Sequence, residues 1–323
     1  MSNENQAKST FGSAAYGGDN WSPRDASHAE ENGSLWRACG IDSEWRKLES
    51  VLLHCPGEEL HTSHDDPEAV QMLDKVDLGR AREEHSTMVE AYRDQGVEVH
   101  FVEPEQPCQP NLMFCADLFV MTPQGAILAR PASTVRAGEE RQLARRLAGL
   151  GVPILKTLTG TATFEGADLM WVDAETAIVG RGLRTNDAAI AQLRTLLAEL
   201  GVDLFAVDSP FGIMHFMSLL RIVDRDLAIC WPRRTPHQCV RLLQERGYEV
   251  RFPPFVDDSA SYRGINFVTL GPRRILMVDG LPEVRGWFEK LGIECLVTPT
   301  DELTRAAGNV GCLTGILHRK TDG

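Results

Sequence analysis

The chain has 323 residues, of which 43% are hydrophobic and 24% are charged, and its formal net charge is −13. This length and composition are typical of a compact, soluble protein with a substantial core, and the acidic balance disfavours binding to nucleic acid. The sequence shows no membrane-spanning run and no signal peptide. Eight cysteines without paired metal-ligand spacing favour a reduced, cytoplasmic protein over a disulfide scaffold.

The first forty residues differ from the rest of the chain. Residues 1–40 are rich in Ser, Asn, Gly and Glu with scattered aromatic residues. This composition favours a disordered tail, with a short helix near Trp36. The patterned sequence over residues 41–323 predicts a single domain.

A repeated pattern follows this tail and determines the predicted fold. Five polar, helix-like segments each end in a glycine that is followed by an apolar, strand-like run: Gly96, Gly151, Gly201, Gly247 and Gly292. Glycine suits the left-handed backbone conformation that ends many helices. The spacing of roughly fifty residues indicates an internal repeat.

Each repeat predicts two strands joined by a short polar turn, then a helix, then a third strand. The complete modules cover residues 117–154, 167–207, 217–253 and 265–297. Their strands are predicted from runs rich in Val, Ile and Leu that are broken by Gly, Pro and Asp. In this interpretation Asp117, Ala167 and Met217 begin strands.

The first module is incomplete and lacks one strand. Strands are predicted at 49–55 and 97–102, separated by a long polar insertion and a helix over 83–94. The apolar run at 313–318 can supply the missing strand, so that the two chain ends meet and leave no open sheet edge. The sequence therefore predicts a five-bladed α/β propeller of ββαβ modules.

Equivalent positions of the modules should converge around the propeller axis. The residues that precede or begin the first strands include Asp117, Glu165, His215 and Cys312, while the fifth module offers Asn266. Each residue alone is more often structural. Four ionisable groups at related positions are costly to bury without a ligand or one another, so together they form a candidate functional site.

The residue types indicate the chemistry of this site. A cysteine at position 312, in a run of small residues, can attack an electrophile, and His215 can transfer protons at neutral pH. Asp117 and Glu165 suit a cation with several N–H donors, and carboxylates bind a guanidinium group in bidentate fashion. The expected small-molecule substrate is arginine or another alkylguanidine.

Four motifs in this order resemble the guanidine-modifying enzymes of the pentein fold. They are NLMFCAD at 111–117, FEGAD at 164–168, MHFM at 214–217 and GCLT at 311–314. This superfamily includes arginine deiminases, dimethylargininases and amidinotransferases, and the resemblance covers about residues 42–319. It implies that Cys312 is the nucleophile, that His215 is the acid/base, and that Glu165 and Asp117 bind the guanidinium group.

The resemblance implies roles for three further side chains. Arg136 and Arg184 match the arginines that bind the substrate carboxylate, although surface ion pairs remain an alternative for both. Asp168 is placed at the substrate site, where it supports either the turn or the histidine. No cofactor and no metal are implied.

Position 217 departs from part of the superfamily. Arginine deiminases and amidinotransferases carry His-x-Asp here, whereas this chain has His215, Phe216 and Met217, and dimethylargininases also lack the acid. If these residues form a strand, Met217 faces the same way as His215. An apolar side chain there would accept a methylated nitrogen, which favours hydrolysis of an Nω-substituted arginine.

Other interpretations stay open from the sequence. The same residues could transfer an amidino group to an acceptor amine or deiminate arginine, and homo-oligomerisation is undetermined. Ribosome-binding members of the fold lack this cysteine, histidine and acid set. A metal site in the insertion at His61 and His64 is less favoured than a solvated lid over the site.

Overall fold

A computed structural model describes residues 10–64, 66–254 and 263–321. The strands of this part of the chain form five three-stranded sheets. Their bounds are β1 (Leu48–Leu53), β2 (Glu98–Phe101), β3 (Phe119–Thr122), β4 (Gly125–Leu128), β5 (Ile154–Thr157), β6 (Leu169–Asp173), β7 (Thr176–Arg181), β8 (Asp203–Asp208), β9 (Leu220–Asp224), β10 (Leu227–Cys230), β11 (Glu249–Arg251), β12 (Val268–Gly271), β13 (Arg274–Val278), β14 (Glu294–Thr298) and β15 (Gly315–Arg319).

One longer helix joins the second and third strands of most sheets. The helices are α1 (Leu78–Asp94), α2 (Glu139–Gly149), α3 (Asp187–Glu199), α4 (His237–Glu245), α5 (Pro282–Lys290), α6 (Asp301–Thr304) and α7 (Val310–Leu313). In α3, the side chain of Asn186 accepts the N–H of Ala189 and caps the first turn, and Ile190, Leu193 and Leu197 form the buried face. No helix of the described ranges is long and apolar enough to cross a membrane.

The sheets confirm the predicted five-bladed propeller. In each sheet the central strand runs antiparallel to one neighbour and parallel to the other, as β4 does between β3 and β5. The last strand, β15, pairs antiparallel with β1, and β1 pairs parallel with β2. The C-terminal strand therefore completes the first module and closes the ring, as the sequence predicted.

The repeated glycines end the helices of the five modules. Their backbone φ angles lie between 72° and 86°, in the left-handed region that favours glycine: Gly96, Gly151, Gly201, Gly247 and Gly292. The chain reverses at each of these residues and enters the third strand of its sheet. This part of the sequence analysis is confirmed.

The starts of three modules differ from the prediction. Where strands were expected, the chain forms single 3-10 turns at Cys115–Asp117, Gly166–Asp168 and Phe216–Ser218. The strands begin after these turns because the backbone first forms i to i+3 hydrogen bonds, such as Ser218 N–H to the carbonyl of His215 at 3.2 Å. Apolar turn residues next to a buried strand have the composition of a strand, which explains the wrong prediction.

The segment before the first strand also differs from the expected disordered tail. Arg37 N–H donates to the carbonyl of Gly151, Gly40 N–H donates to that of Leu317, and Cys39 is 2% exposed. Near Trp36 the chain forms turns instead of the predicted helix. Residues 28–40 thus pack against the propeller, residues 10–27 are mostly exposed, and residues 1–9 lie outside the described ranges.

Candidate active site

The turns that precede the first strands bring the predicted residues to one cavity. Its lining includes Asp117, Arg136, Arg184, His215 and Cys312. Asp117 ends one 3-10 turn, His215 caps another, and Cys312 lies in α7 just before β15. The repeat therefore positions equivalent residues of different modules around one space, as the sequence analysis expected.

Glu165 lies against this cavity and is saturated with hydrogen bonds. Its Oε2 accepts from His215 Nε2 at 2.6 Å and from Arg136 Nη1 at 3.3 Å. Its Oε1 accepts from Arg184 Nη1 at 3.1 Å and from the N–H of Ala132 at 3.2 Å. Although burial opposes ionisation, these donors hold the pKa of Glu165 well below its usual range. Both oxygens are thus already occupied by groups of the protein.

His215 lies between two acids. Besides the bond to Glu165, its Nδ1 lies 3.7 Å from Asp117 Oδ1. Burial opposes the charged imidazolium, but the carboxylates of Asp117 and Glu165 outweigh it and raise the pKa of His215 to about 9. The imidazole is therefore protonated at neutral pH and can donate a proton inside the cavity.

Only one of the two carboxylate oxygens of Asp117 accepts a hydrogen bond in the described structure. Its Oδ2 accepts from Arg136 Nη1 at 2.7 Å. Its Oδ1 is buried and has no hydrogen-bond partner among the described residues. A buried carboxylate oxygen without a donor is costly, so this atom is an acceptor available to a ligand in the cavity.

The thiol of Cys312 is 6% exposed and contacts one side chain of the fifth module. Asn266 Nδ2 donates to Cys312 Sγ at 3.1 Å. Burial and the nearby Asp117 carboxylate raise the pKa of the thiol, while the bond from Asn266 favours the thiolate. The sequence analysis noted the repeat position of Asn266 but assigned it no role, because an amide is not ionisable.

The guanidinium group of Arg136 is occupied by acids of the protein, whereas the resemblance implied that it binds the substrate carboxylate. Its guanidinium group is 3% exposed and pairs with Asp117, with Glu165 and, at 2.8 Å, with Glu139. Glu139 was missed in the sequence, where its spacing of three residues from Arg136 was the available indication. Arg184, at 8% exposed, lies nearer the surface and donates to Glu165 alone among these acids.

Asp168 supports the structure next to the cavity and does not line it. Its Oδ2 accepts from the hydroxyl of Thr185 at 2.6 Å, and its Oδ1 accepts from the N–H of Phe216 at 2.8 Å. Burial raises its pKa to about 6. Asp168 therefore holds the turn that presents His215, and direct contact with a substrate does not follow from its position.

Met217 does not lie beside His215 in the way that a strand would require. Because His215 caps a 3-10 turn that includes Met217, the residue two positions on points to another side of the chain. Met217 lines a second cavity, and Met214 lines the cavity that contains Cys312 and His215. The predicted contact of Met217 with a substrate nitrogen is not supported by this geometry.

Among the residues that the structure describes, two groups of side chains have donor atoms close enough to hold a metal ion. They are Asp117, Glu165 and His215 in the active-site cavity, and His54, Glu59 and Cys108 elsewhere, each with its donor atoms within 4.8 Å of one another. In the first group, Arg136 already places a cation on the two acids. The metal site considered in the polar insertion includes His64 and Asp65, whose side chains lie outside the described residues.

The fold and the residues of this cavity define a guanidine-modifying enzyme of the pentein fold, either an amidine hydrolase or an amidinotransferase. The chain belongs to the eukaryotic N,N-dimethylarginine dimethylhydrolase family, whose model matches residues 61–248. It is 29% identical over 249 residues to N(G),N(G)-dimethylarginine dimethylaminohydrolase of Streptomyces coelicolor, covering 77% of this chain and 90% of the relative.

Solved structures show the same fold. The dimethylarginine dimethylaminohydrolase of Pseudomonas aeruginosa, a mutant complexed with citrulline, has a TM-score of 0.70 at 20% identity, over 84% of this chain and all of that one. SxtG, an amidinotransferase from Microseira wollei, has a TM-score of 0.71 at 14% identity, over 88% of this chain and 98% of that one. Both hydrolytic and transferring enzymes therefore use this architecture.

Proposed function

We propose that the protein hydrolyses an Nω-methylated arginine to citrulline and a methylamine, with Cys312 as the nucleophile. The observation that carries this proposal is Oδ1 of Asp117, which accepts no hydrogen bond within the described structure and lies in the same cavity as Cys312, 3.7 Å from His215 Nδ1. A substrate guanidinium group bound to this oxygen would bring its carbon next to the thiol. Family membership supports the same reaction class.

The acids and the arginines of the cavity would bind different parts of the substrate or position the residues that do. Arg136 positions Asp117 by holding Oδ2, so that Oδ1 accepts an N–H of the substrate. Arg184, which is nearer the surface, would bind the substrate carboxylate. Glu165 keeps His215 protonated and oriented, and Asp168 holds the turn on which His215 lies. In this proposal Glu165 acts through the histidine and does not bind the guanidinium group directly.

The reaction would begin when the substrate cation enters the cavity. Its positive charge lowers the pKa of Cys312, so the thiol proton is released to solvent and the thiolate attacks the guanidinium carbon. The His215 imidazolium then donates its proton to the departing amine as the C–N bond breaks, which leaves an S-alkylthiouronium on Cys312. Neutral His215 next takes a proton from water as the water oxygen attacks the same carbon. The C–S bond then breaks, the proton of the added hydroxyl passes to the Cys312 sulfur, and neutral citrulline is released.

The apolar part of the cavity favours a methylated substrate. Phe114, Met214, Ala306 and Ala307 line it together with the polar groups. A methyl group buried against such side chains gains hydrophobic stabilisation, whereas an additional carboxylate would require an N–H donor. Amidino transfer remains the second candidate, since an acceptor amine in place of water would use the same thiouronium and since an amidinotransferase shares the fold.

Product analysis by mass spectrometry tests this proposal. The protein is incubated separately with arginine, monomethylarginine, asymmetric dimethylarginine, and arginine plus glycine. We expect citrulline and the corresponding methylamine from the methylated substrates, and faster turnover of these than of arginine. Guanidinoacetate and ornithine from the last mixture would establish the transferase instead, and citrulline from arginine but not from the methylated substrates would establish a deiminase.

A further inference from the structure

A second cavity lies on the propeller axis behind the nucleophile. It has a volume of about 70 Å³ and is lined by residues of β3, β6, β9, β12 and β15, which are the first strands of the five modules. Ala116, Ala167, Met217 and Gly311 also line it, and these residues belong to the turns that carry the active site. A single layer of backbone and small side chains thus separates the two cavities.

Two arginines bring unpaired N–H groups to this cavity. Arg221 of β9 and Arg319 of β15 both line it. Arg221 Nη2 and Arg319 Nε are buried and have no hydrogen-bond partner within the described part of the chain. Arg221 Nε donates to the neutral carbonyl of Ile265 and Arg319 Nη1 to that of Arg46. The Arg221 guanidinium carbon lies 5.9 Å from the centre of the Phe267 ring. Neither guanidinium group has a carboxylate within 4 Å among the ion pairs of the described residues.

The charges around the cavity do not balance. Within the described ranges, the charged side chains that line it are Glu44, Arg221 and Arg319, so the lining carries a net charge of about +1. Glu44 supplies one negative charge that favours the charged form of both arginines, and its Oε1 also accepts the N–H of Trp171 at 3.0 Å, so one of the two cations is left without a counter-charge. Burial lowers the pKa of Arg319 to about 10, which still leaves the group charged at neutral pH. A buried cation without a counter-charge is strongly unfavourable.

We propose that this axial cavity binds a small inorganic monoanion, such as chloride, between Arg221 and Arg319. One negative charge neutralises the lining, and the two unpaired N–H groups supply charge-assisted donors. The cavity is wide enough for such an ion. This site is separate from the cavity of Cys312 and does not depend on which guanidine reaction the enzyme carries out.

The anion would lie close to the nucleophile. A Cβ placed on Gly311, the residue before Cys312, would be 2.3 Å from Arg221 Nη2 and 2.5 Å from Asn266 Oδ1. Arg221 therefore passes directly behind the backbone that carries the thiol, and Asn266, which donates to Cys312 Sγ, lies next to the same glycine. An anion on Arg221 would reduce the positive potential at Cys312 and disfavour its thiolate.

Bromide provides a direct test, because it scatters anomalously and replaces chloride. Crystals of the whole protein are soaked in sodium bromide, and we expect an anomalous peak between Arg221 and Arg319. In solution, we expect sodium chloride at ten times its Kd to raise Tm by roughly 2–4 °C relative to sodium gluconate of equal ionic strength. Arg221→Met should abolish this difference, and Arg285→Met, which removes an exposed arginine of the same charge, should preserve it.

The proposal is overturned if bromide is absent from the axial cavity while it occupies other surface sites, or if both salts give the same Tm. Wild-type crystals decide the matter even if Arg221→Met does not fold. Alkylation of Cys312 by the neutral reagent iodoacetamide, followed by peptide mass, tests the link to the thiol. We expect chloride to slow this alkylation by roughly threefold. An equal rate in gluconate would show that the anion does not affect the nucleophile.

Discussion

Nε2 of His215 donates to Oε2 of Glu165 at 2.6 Å, and both side chains are buried in the wall of the cavity. Glu165 receives three other donors, so its position is fixed before any substrate binds. Asp117, by contrast, keeps one buried oxygen without a donor in the described structure. The two acids therefore have different tasks: one sets the charge of the histidine, and the other remains available to a cationic ligand.

The stability of the protein should depend on the charge of His215. Its pKa is about 9 in the folded state, compared with an ordinary value near 6.5. Below pH 6.5 both states hold the proton and the stabilisation is complete. Between pH 6.5 and 9 only the folded state holds it, so the free energy of unfolding should fall as pH rises, by an amount on the order of 3 kcal/mol in total.

Urea denaturation of the wild type and of His215→Gln over pH 6–9 measures this contribution. The difference in unfolding free energy between the two proteins should shrink as pH rises, since glutamine does not titrate. The buried cysteines titrate alike in both proteins, so they cancel in the comparison. A difference that stays constant with pH would show that His215 is neutral in the folded protein.

Replacing the proposed nucleophile should remove turnover without unfolding the protein. We expect Cys312→Ser to lower kcat by roughly a thousandfold or more, because a serine hydroxyl stays un-ionised in this environment. Cys55→Ser is the matched control, since Cys55 is also a free cysteine but lies outside the cavity. In His215→Ala, a substrate analogue whose leaving group needs no proton, such as a thiolate, should leave a thiouronium adduct on Cys312 in intact-mass and peptide spectra; an adduct on another cysteine would contradict the assignment.

Substitution of Arg136 should lower stability, whereas substitution of Arg184 should weaken substrate binding. Arg136→Met leaves Asp117, Glu139 and Glu165 without a shared cation, which should lower the free energy of unfolding by about 3–5 kcal/mol. Arg184→Gln should instead raise KM for a methylated arginine by roughly ten- to a hundredfold. It should leave KM unchanged for the decarboxylated analogue, which has no group for Arg184 to bind. Equal losses with both substrates would remove the carboxylate-binding role.

The sequence predicted the propeller because its evidence is periodic. Each helix ends in a glycine with a left-handed backbone, and this constraint repeats five times with little dependence on tertiary contacts. The identity of Asp117, Glu165, His215 and Cys312 as one cluster followed from the same repeat. These features need only local conformation and the assumption that equivalent positions meet at an axis.

The details that were missed depend on contacts between distant segments. The position of Arg136 in the sequence does not indicate that its guanidinium group pairs with Asp117 and Glu165, which belong to two different modules. Likewise, the packing of Cys39 against the propeller is a tertiary effect, because its segment has no periodic apolar pattern. The 3-10 turn at Met217 was missed because short turns and strands share the same apolar residues.

Truncation distinguishes the exposed and the packed parts of the N-terminal segment. Deleting residues 1–27 removes the mainly exposed residues 11–27 and the ion pair of Arg24 with Glu31, so Tm should change by about 2 °C or less. Deleting residues 1–40 also removes buried Cys39 and the hydrogen bonds of Arg37 and Gly40, and should lower Tm by roughly 5–10 °C. Differential scanning calorimetry of both truncated proteins measures this. Equal Tm values would mean that residues 28–40 do not stabilise the fold.

The side chain that recognises a substituted nitrogen should be Met214 and not Met217. Met214 lines the cavity of Cys312, whereas Met217 lies in the axial cavity. Met214→Asp should therefore shift the ratio of kcat/KM toward arginine by roughly tenfold, because an N–H of arginine can satisfy the new carboxylate and a methyl group cannot.

Met217→Asp is the matched control for this substitution, with the same chemistry three residues further along the chain. It should leave the ratio of kcat/KM for methylated arginine to arginine unchanged, even if it lowers both values through a loss of stability. Steady-state kinetics on both substrates with the wild type and the two variants decide between the positions. A change of preference in Met217→Asp together with none in Met214→Asp would mean that residue 217 faces the substrate, as a strand after His215 would require.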